Sequence, residues 1–293
     1  MSVALPKRRK AKIPILTRVP RWVVHVVIFV FCAVWFTPLL AMVATSLRTN
    51  PDTAAGGWWM IFVKPLVTLD NFTRASDLLE LNTSLVSTLA IAVPSTILTV
   101  IISAFGAYAL ARMHFRGKAF VFILLVALLA IPPQLAITPL LQLFGHLGLG
   151  GSIATVWIWQ VGFTVPFGIF LVRGYLFTLP EELIEAARID GASEFRLFFQ
   201  IVLPLITPIL ASLAILQFLW SWNDLLTPLV FMGVANHEAP ITLQLASLFQ
   251  TQSGLGQNSV AAGAFISVIV PLAVLIGLQR YFVAGITGGS LKG

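Results

Sequence analysis

The sequence predicts an all-α membrane protein: six transmembrane helices, with a charged cytosolic helix–turn–helix between the fourth and fifth. Three observations carry that expectation. Hydrophobic residues make up 58% of the chain and charged residues only 10%, with mean hydropathy +0.95; a soluble domain carries about 25% charged residues. Apolar runs of membrane length recur along the 293 residues, and about 20 such residues cross a hydrocarbon layer. Between two of these runs, the stretch Glu185 to Pro204 gathers Glu185, Arg188, Asp190, Glu194 and Arg196, whereas its flanks are nearly uncharged.

The elements follow in order. Residues 1–21 form a basic segment with Lys7, Arg8, Arg9, Lys10, Lys12, Arg18 and Arg21. The apolar run at 22–44 is too long for the core of a signal peptide, and Met42 occupies the position where a cleavage site wants a small residue. An uncleaved first span is therefore expected, with Cys32 as a small buried hydrophobe within it. A mixed polar loop follows, in which Trp58-Trp59 fits either a headgroup-level anchor or a loop core. The second span is expected at 85–111, with Pro94 inside. The third, at 119–144, holds Pro132, Pro133 and Pro139, so it is either kinked or re-entrant. The fourth is expected at 152–172. The fifth, at 205–234, runs through Asn223-Asp224, and the sixth lies at 260–279. The permeating domain would thus occupy 22–284, with a tail at 285–293. The four histidines show no ligand spacing, and no metal site is expected.

Orientation follows from the cations. With six spans, Arg48, Lys64 and Arg74 fall on one side, and the other fifteen of the eighteen Lys and Arg fall with the termini and the Glu185 stretch. Cytoplasmic loops carry the excess of Lys and Arg. Both termini and the charged stretch are therefore expected in the cytoplasm. The net charge of +7 reflects topology and not nucleic-acid binding.

Within the charged stretch, about 178–204, Thr178 and Glu181 have the spacing of a capping box. Pro180 suits a first helical turn. A helix from Leu179 to Asp190 would place Leu183, Ile184 and Ala187 on one face and Glu182, Glu185 and Arg188 mostly on others. Gly191 is a natural stop. Ser193 would cap a second short helix through Phe199, after which Pro204 opens the fifth span. Ala186-Ala187 would form a smooth patch for a close partner. On physical grounds alone, an interfacial amphipathic helix with no partner fits equally well.

The residues Glu185-Ala186-Ala187, Gly191, Ile201 and Leu203-Pro204 keep a spacing that resembles the EAA loop of binding-protein-dependent ABC importer permeases. The ARMHFRGK loop, WNDLLTPL and the terminal GITGGSLKG resemble the maltose-type carbohydrate-uptake subgroup, and the GWW–F–P–TLDNF outer loop resembles its α-glucoside branch. The resemblance implies a type I importer permease fold. It implies an ATPase-docking helix with Glu185, Ala186, Ala187, Arg188, Asp190 and Gly191 at the contact, while Ile201, Leu203 and Pro204 set the second helix. It also implies that Ser290, Leu291, Lys292 and Gly293 reach the ATPase. The implied partners are a second permease subunit, two ATPase subunits that bind ATP and Mg, an extracytoplasmic sugar-binding protein and the lipid bilayer of a bacterial cell membrane. The chain has no G-x-x-x-x-G-K-[ST] phosphate loop, so no enzymatic activity or cofactor is expected in it.

Asp224 is the acid within a span, beside Asn223, Trp220 and Gln217. Ionisable groups in membranes are functional candidates, so these four residues are a candidate sugar path. Helix-to-helix packing, or a break in the fifth span, accounts for them as well. A gradient-driven carrier would want buried acids or histidines in several spans and repeated halves, and a membrane enzyme would want a His, Asp or Glu cluster. Neither pattern is found in the sequence.

Overall fold

The computed structural model describes residues 20–233, 237–250 and 256–288, and its regular elements among them are helical. They are α1 (Arg21–Ser46), α2 (Asn50–Gly56), α3 (Asp70–Leu78), α4 (Leu81–Arg112), α5 (Lys118–Leu129), α6 (Ile137–His146), α7 (Ile153–Leu176), α8 (Glu181–Ile189), α9 (Glu194–Leu197), α10 (Leu203–Trp222), α11 (Leu226–Phe231), α12 (Ile241–Gln250) and α13 (Gln257–Gly288). In a bilayer every backbone polar group must be satisfied within the protein, which selects helices for apolar runs of this length.

Among the described residues, five helices are long and apolar enough to cross a membrane: α1, α4, α7, α9–α10 taken together, and α13. A sixth crossing would be the pair formed by 118–129 and 133–146, which are bent by 95° at the break. At twelve residues, α5 is about 18 Å long, short of a hydrocarbon layer. Pro132 and Pro133 make the corner, where proline removes a helix donor.

The centre of the bundle is α4, packed lengthwise on α7 and α10. Its buried stripe is small and hydroxylic: Ser84, Thr88, Ala92, Ser95, Thr99, Ser103 and Ala107. Small residues let helix backbones approach closely in a membrane. The approach is tightest at Gly168 of α7, where a Cβ would overlap the Ser103 hydroxyl. At the α8 end, the core gathers Ala107, Tyr108, Val172, Leu176, Leu197, Phe198, Val202 and Ile206. At the opposite end, Trp159, Phe144 and Phe231 form a second cluster.

Three expectations change. First, the fifth span stops at Trp222, with Asn223 as its C-cap. It gains length at its other end, because the helix is continuous from Glu194 to Trp222, 29 residues. The second arm of the helix–turn–helix is therefore the start of this span, and Pro204 lies inside it. A π-turn at Phe198–Val202 precedes the proline. Its wider winding removes the clash between the Pro204 ring and the carbonyl four residues back. Second, Cys32 is exposed on α1, because α1 buries only Ala44 and Ser46 near its end. Third, the Trp58–Phe62 turn buries none of its residues; Trp58 and Trp59 meet edge to face at 6.1 Å. A loop core is ruled out there.

Candidate functional sites

The helix α8 occupies Glu181–Ile189, two residues later than the sequence suggests. The expected capping box does not form. Thr178 donates its hydroxyl to the Tyr175 carbonyl at 2.7 Å, finishing α7, and Pro180 is the N-cap with no side-chain bond. Glu181 and Glu182 in the first turn favour the positive end of the helix dipole. The stop at Gly191 forms as read. Its φ is +77°, and the Ala192 N–H bonds the Ala187 carbonyl while the Gly191 N–H bonds that of Arg188, both at 3.0 Å. That pair of bonds is a Schellman closure, which needs the left-handed residue. Ser193 caps α9, accepting from the Arg196 N–H at 3.3 Å.

The face of α8 differs from the expected one. Ile184 and Ala187 turn inward at 3% and 8% exposure, but Leu183 stays out at 49%. Ala187 is thus part of the core, and the outward surface is Glu185, Ala186, Leu183, Asp190 and Ile189, the last 86% exposed. Ile201 and Leu203 pack partly buried on the core cluster, and Pro204 is exposed. Arg188 points back into the protein. Its guanidinium donates to the Arg112 carbonyl at 3.1 Å and pairs with Glu194 at 3.0 Å.

The Arg188 bond belongs to a larger arrangement that the sequence did not reveal. The last four carbonyls of a helix lack intrahelical partners. At the end of α4, the Ala109 carbonyl takes the Met113 N–H at 3.2 Å. Arg173 of α7 donates to Leu110 at 3.1 Å, Lys118 of α5 to Ala111 at 3.2 Å, and Arg188 of α8 to Arg112. Arg112 in turn donates to the Leu176 carbonyl at 2.6 Å and the Leu179 carbonyl at 3.2 Å, closing the end of α7. Cations suit the negative end of a helix dipole, and here they come from three separate elements. Arg173 also lies over the Phe122 ring at 3.7 Å.

The four candidate sugar-path residues line one open cavity of about 720 Å³, together with Gln160, Phe163, Thr164 and Phe167 of α7. Trp220 is half exposed, and its ring lies 5.3 Å from that of Phe167. Gln217 is 1% exposed. Asp224 is held in place: Oδ2 accepts from Gln160 Nε2 at 3.0 Å, and Oδ1 accepts from the Thr227 N–H, also at 3.0 Å, at the start of α11. Gln160 Oε1 in turn accepts from Ser221 at 2.7 Å. Trp222 faces away, donating its indole N–H to the Ser267 carbonyl at 3.0 Å. The break after Trp222 and the packing role of Asp224 are therefore both present in the cavity wall. The aromatic wall of α7 escaped the sequence reading, although Trp159, Phe163 and Phe167 recur every fourth residue, the spacing of one helix face.

Residues 100–288 match the family described as the binding-protein-dependent transport system inner membrane component. The chain belongs to that family. It is 42% identical over 273 residues to the osmoprotective compounds uptake permease GgtD of Synechocystis, covering 92% of this chain and 91% of that protein. It is 44% identical over 234 residues to the alpha-glucoside transport system permease AglG of Rhizobium meliloti, covering 78% of this chain and 61% of AglG. The melibiose/raffinose/stachyose import permease MelC of Bacillus subtilis is 30% identical over 259 residues, covering 88% and 92%. The permease is thus a multi-pass membrane protein and not an enzyme. The residues Ser290 to Gly293 of its tail lie outside the described residues.

Proposed function

We propose that the permease is one membrane half of an ATP-driven sugar importer, fed by an extracytoplasmic binding protein and driven through α8. The observation that carries this reading is the placement of α8. It is a short helix with a fixed glycine stop, presenting Glu185, Ala186, Asp190 and Ile189 outward, in a chain of the binding-protein-dependent family. A rigid helix passes on a displacement that a loose loop would absorb. The face suits a groove on a separate ATPase subunit. Two such subunits hold ATP and Mg, and a second, homologous permease completes the pathway. Both termini and α8 lie in the cytoplasm on the strength of the cation count.

Sugar is the cargo that the relatives' names favour: alpha-glucosides for AglG, and melibiose, raffinose and stachyose for MelC. The cavity chemistry agrees. Stacked aromatic faces and side-chain amides hold neutral polyols, and Trp220, Phe167, Gln217 and Asn223 supply both. The alternating-access cycle then runs as follows. Nucleotide binding draws the ATPase subunits together, α8 follows its groove, the helices around the cavity change tilt, and hydrolysis resets them.

The test is uptake by the complete complex in proteoliposomes, with labelled disaccharides including an α-glucoside. ATP-dependent uptake that requires the binding protein is expected. Uptake by this chain alone on an ion gradient, without ATP, would overturn the reading. Glu185→Ala is expected to uncouple hydrolysis from uptake, whereas Asp224→Asn alters uptake affinity only if the cavity holds the sugar.

A further inference from the structure

Arg188 joins three elements at one point. It sits on α8 and donates to the terminal carbonyl of α4 at 3.1 Å. It also bonds Glu194 at the start of α9, through Nε at 3.2 Å. The other Glu194 oxygen accepts the Tyr108 hydroxyl of α4 at 2.5 Å. The α8 helix is therefore tied to α4 twice, once directly and once through Glu194.

Glu181 of α8 also faces Arg112 of α4 at 4.0 Å, a long pair whose carboxylate is 77% exposed and so adds little; the rest of the hold on α8 is apolar contact from Ile184 and Ala187. Such contact is non-directional, so it seats the helix without fixing its position along the seam. A planar guanidinium fork with two fixed acceptors does fix it. The acceptor on α4 belongs to the helix that packs lengthwise on both α7 and α10.

We infer that Arg188 is a positioning residue that locks α8 to α4, so that displacement of the docking helix moves α4 with it and not the fifth span alone. This rests on the reading of α8 as an ATPase-docking helix.

The test uses the complete importer in a Cys32→Ala background, with spin labels on Glu182→Cys and Met113→Cys. The distance between the labels is expected to stay the same on adding ATP when Arg188 is present, and to shift by about 5 Å, one helical turn, in Arg188→Ala. A shift of that size with Arg188 in place overturns the inference. Solute carried per ATP is expected to fall about tenfold in Arg188→Ala, the ordinary size of one coupling free energy, and to recover in part in Arg188→Lys. An unchanged ratio in Arg188→Ala also overturns it. A cross-link from Glu185→Cys to the ATPase subunit separates the two readings. Without it the docking reading falls and takes the inference with it; with it, an unchanged ratio sinks the Arg188 role alone.

Discussion

Two helix ends in this permease solve the same problem by different means. At the end of α4, the orphan carbonyls of Leu110, Ala111 and Arg112 are met by the cations Arg173, Lys118 and Arg188. At the far end of α1, they are met by neutral amides. Asn71 Nδ2 lies 2.9 and 2.7 Å from the Ser46 and Arg48 carbonyls. Asn258 Nδ2 lies 2.9 and 2.6 Å from those of Thr45 and Arg48. Long cationic side chains reach in from α5, α7 and α8, so the α4 end binds several pieces into one junction. Short amides work only between elements already in contact, so the α1 end is a local knot between α1, α3 and α13. At the α1 end the buried cation Arg48 donates instead to the Asp52 carbonyl of α2 at 2.9 Å, so the α1 carbonyls are left to the amides.

The comparison can be broken or sharpened by substitution, with the folded fraction followed by denaturant titration in detergent. The largest loss is expected for Arg112→Ala, which strips donors from the Leu176 and Leu179 carbonyls: about 2–6 kcal/mol, at ~1–3 for each stranded acceptor. A loss below that of Asn258→Ala would mean that the cationic junction holds the bundle less firmly than the amide knot does. Asn258→Ala should cost about 2 kcal/mol, because Asn71 still serves the Arg48 carbonyl. This loss should not change with salt, since no charge is removed. Gly191→Ala forces an L-residue to φ +77°, for about 1–2 kcal/mol. Its effect on solute carried per ATP should exceed its effect on folding. The smallest change is expected for Lys118→Gln, which keeps a donor and loses the charge: about 0.5–1 kcal/mol. No loss at all would mean that donors, and not charge, are what the α4 end requires.

Signals that act within one turn of chain were legible in the sequence. The spans follow from apolar runs, and the α8 stop follows from Gly191, because only a few residues decide each. Competition between neighbours was not legible. Thr178 could serve the start of α8 or the end of α7, and the Tyr175 carbonyl three residues back won. The fifth span could pass Asn223 or stop there. It stops because Asp224 caps the Thr227 N–H and begins a new helix, a bond that hydropathy does not register. The junction at α4 was hidden for a different reason. Arg173 and Arg188 lie 63 and 76 residues from their acceptors, and a cation at or beyond the end of a span reads as a topology marker until the helix ends are assembled around it. The cavity was half legible, through Gln217, Trp220, Asn223 and Asp224. Its opposite wall on α7 is mostly aromatic, with Gln160 and Thr164 between the rings, and reads as lipid-facing sequence.

The unbroken helix from Glu194 to Trp222 has 29 residues and so runs about 43 Å. One end carries Glu194, which holds α8 through Arg188; the other ends at Asn223 in the cavity wall. A single rigid helix therefore connects the α8 junction to the cavity wall. Tilting it by about 5° around a point near Leu213 moves the Glu194 end, 19 residues away, by roughly 2.5 Å and the Trp222 end, nine residues away, by roughly 1 Å. That point is the Ser103–Gly168 crossing beside Leu213, where α4, α7 and this helix press together, so motion at the Glu194 end reaches the cavity wall reduced in amplitude.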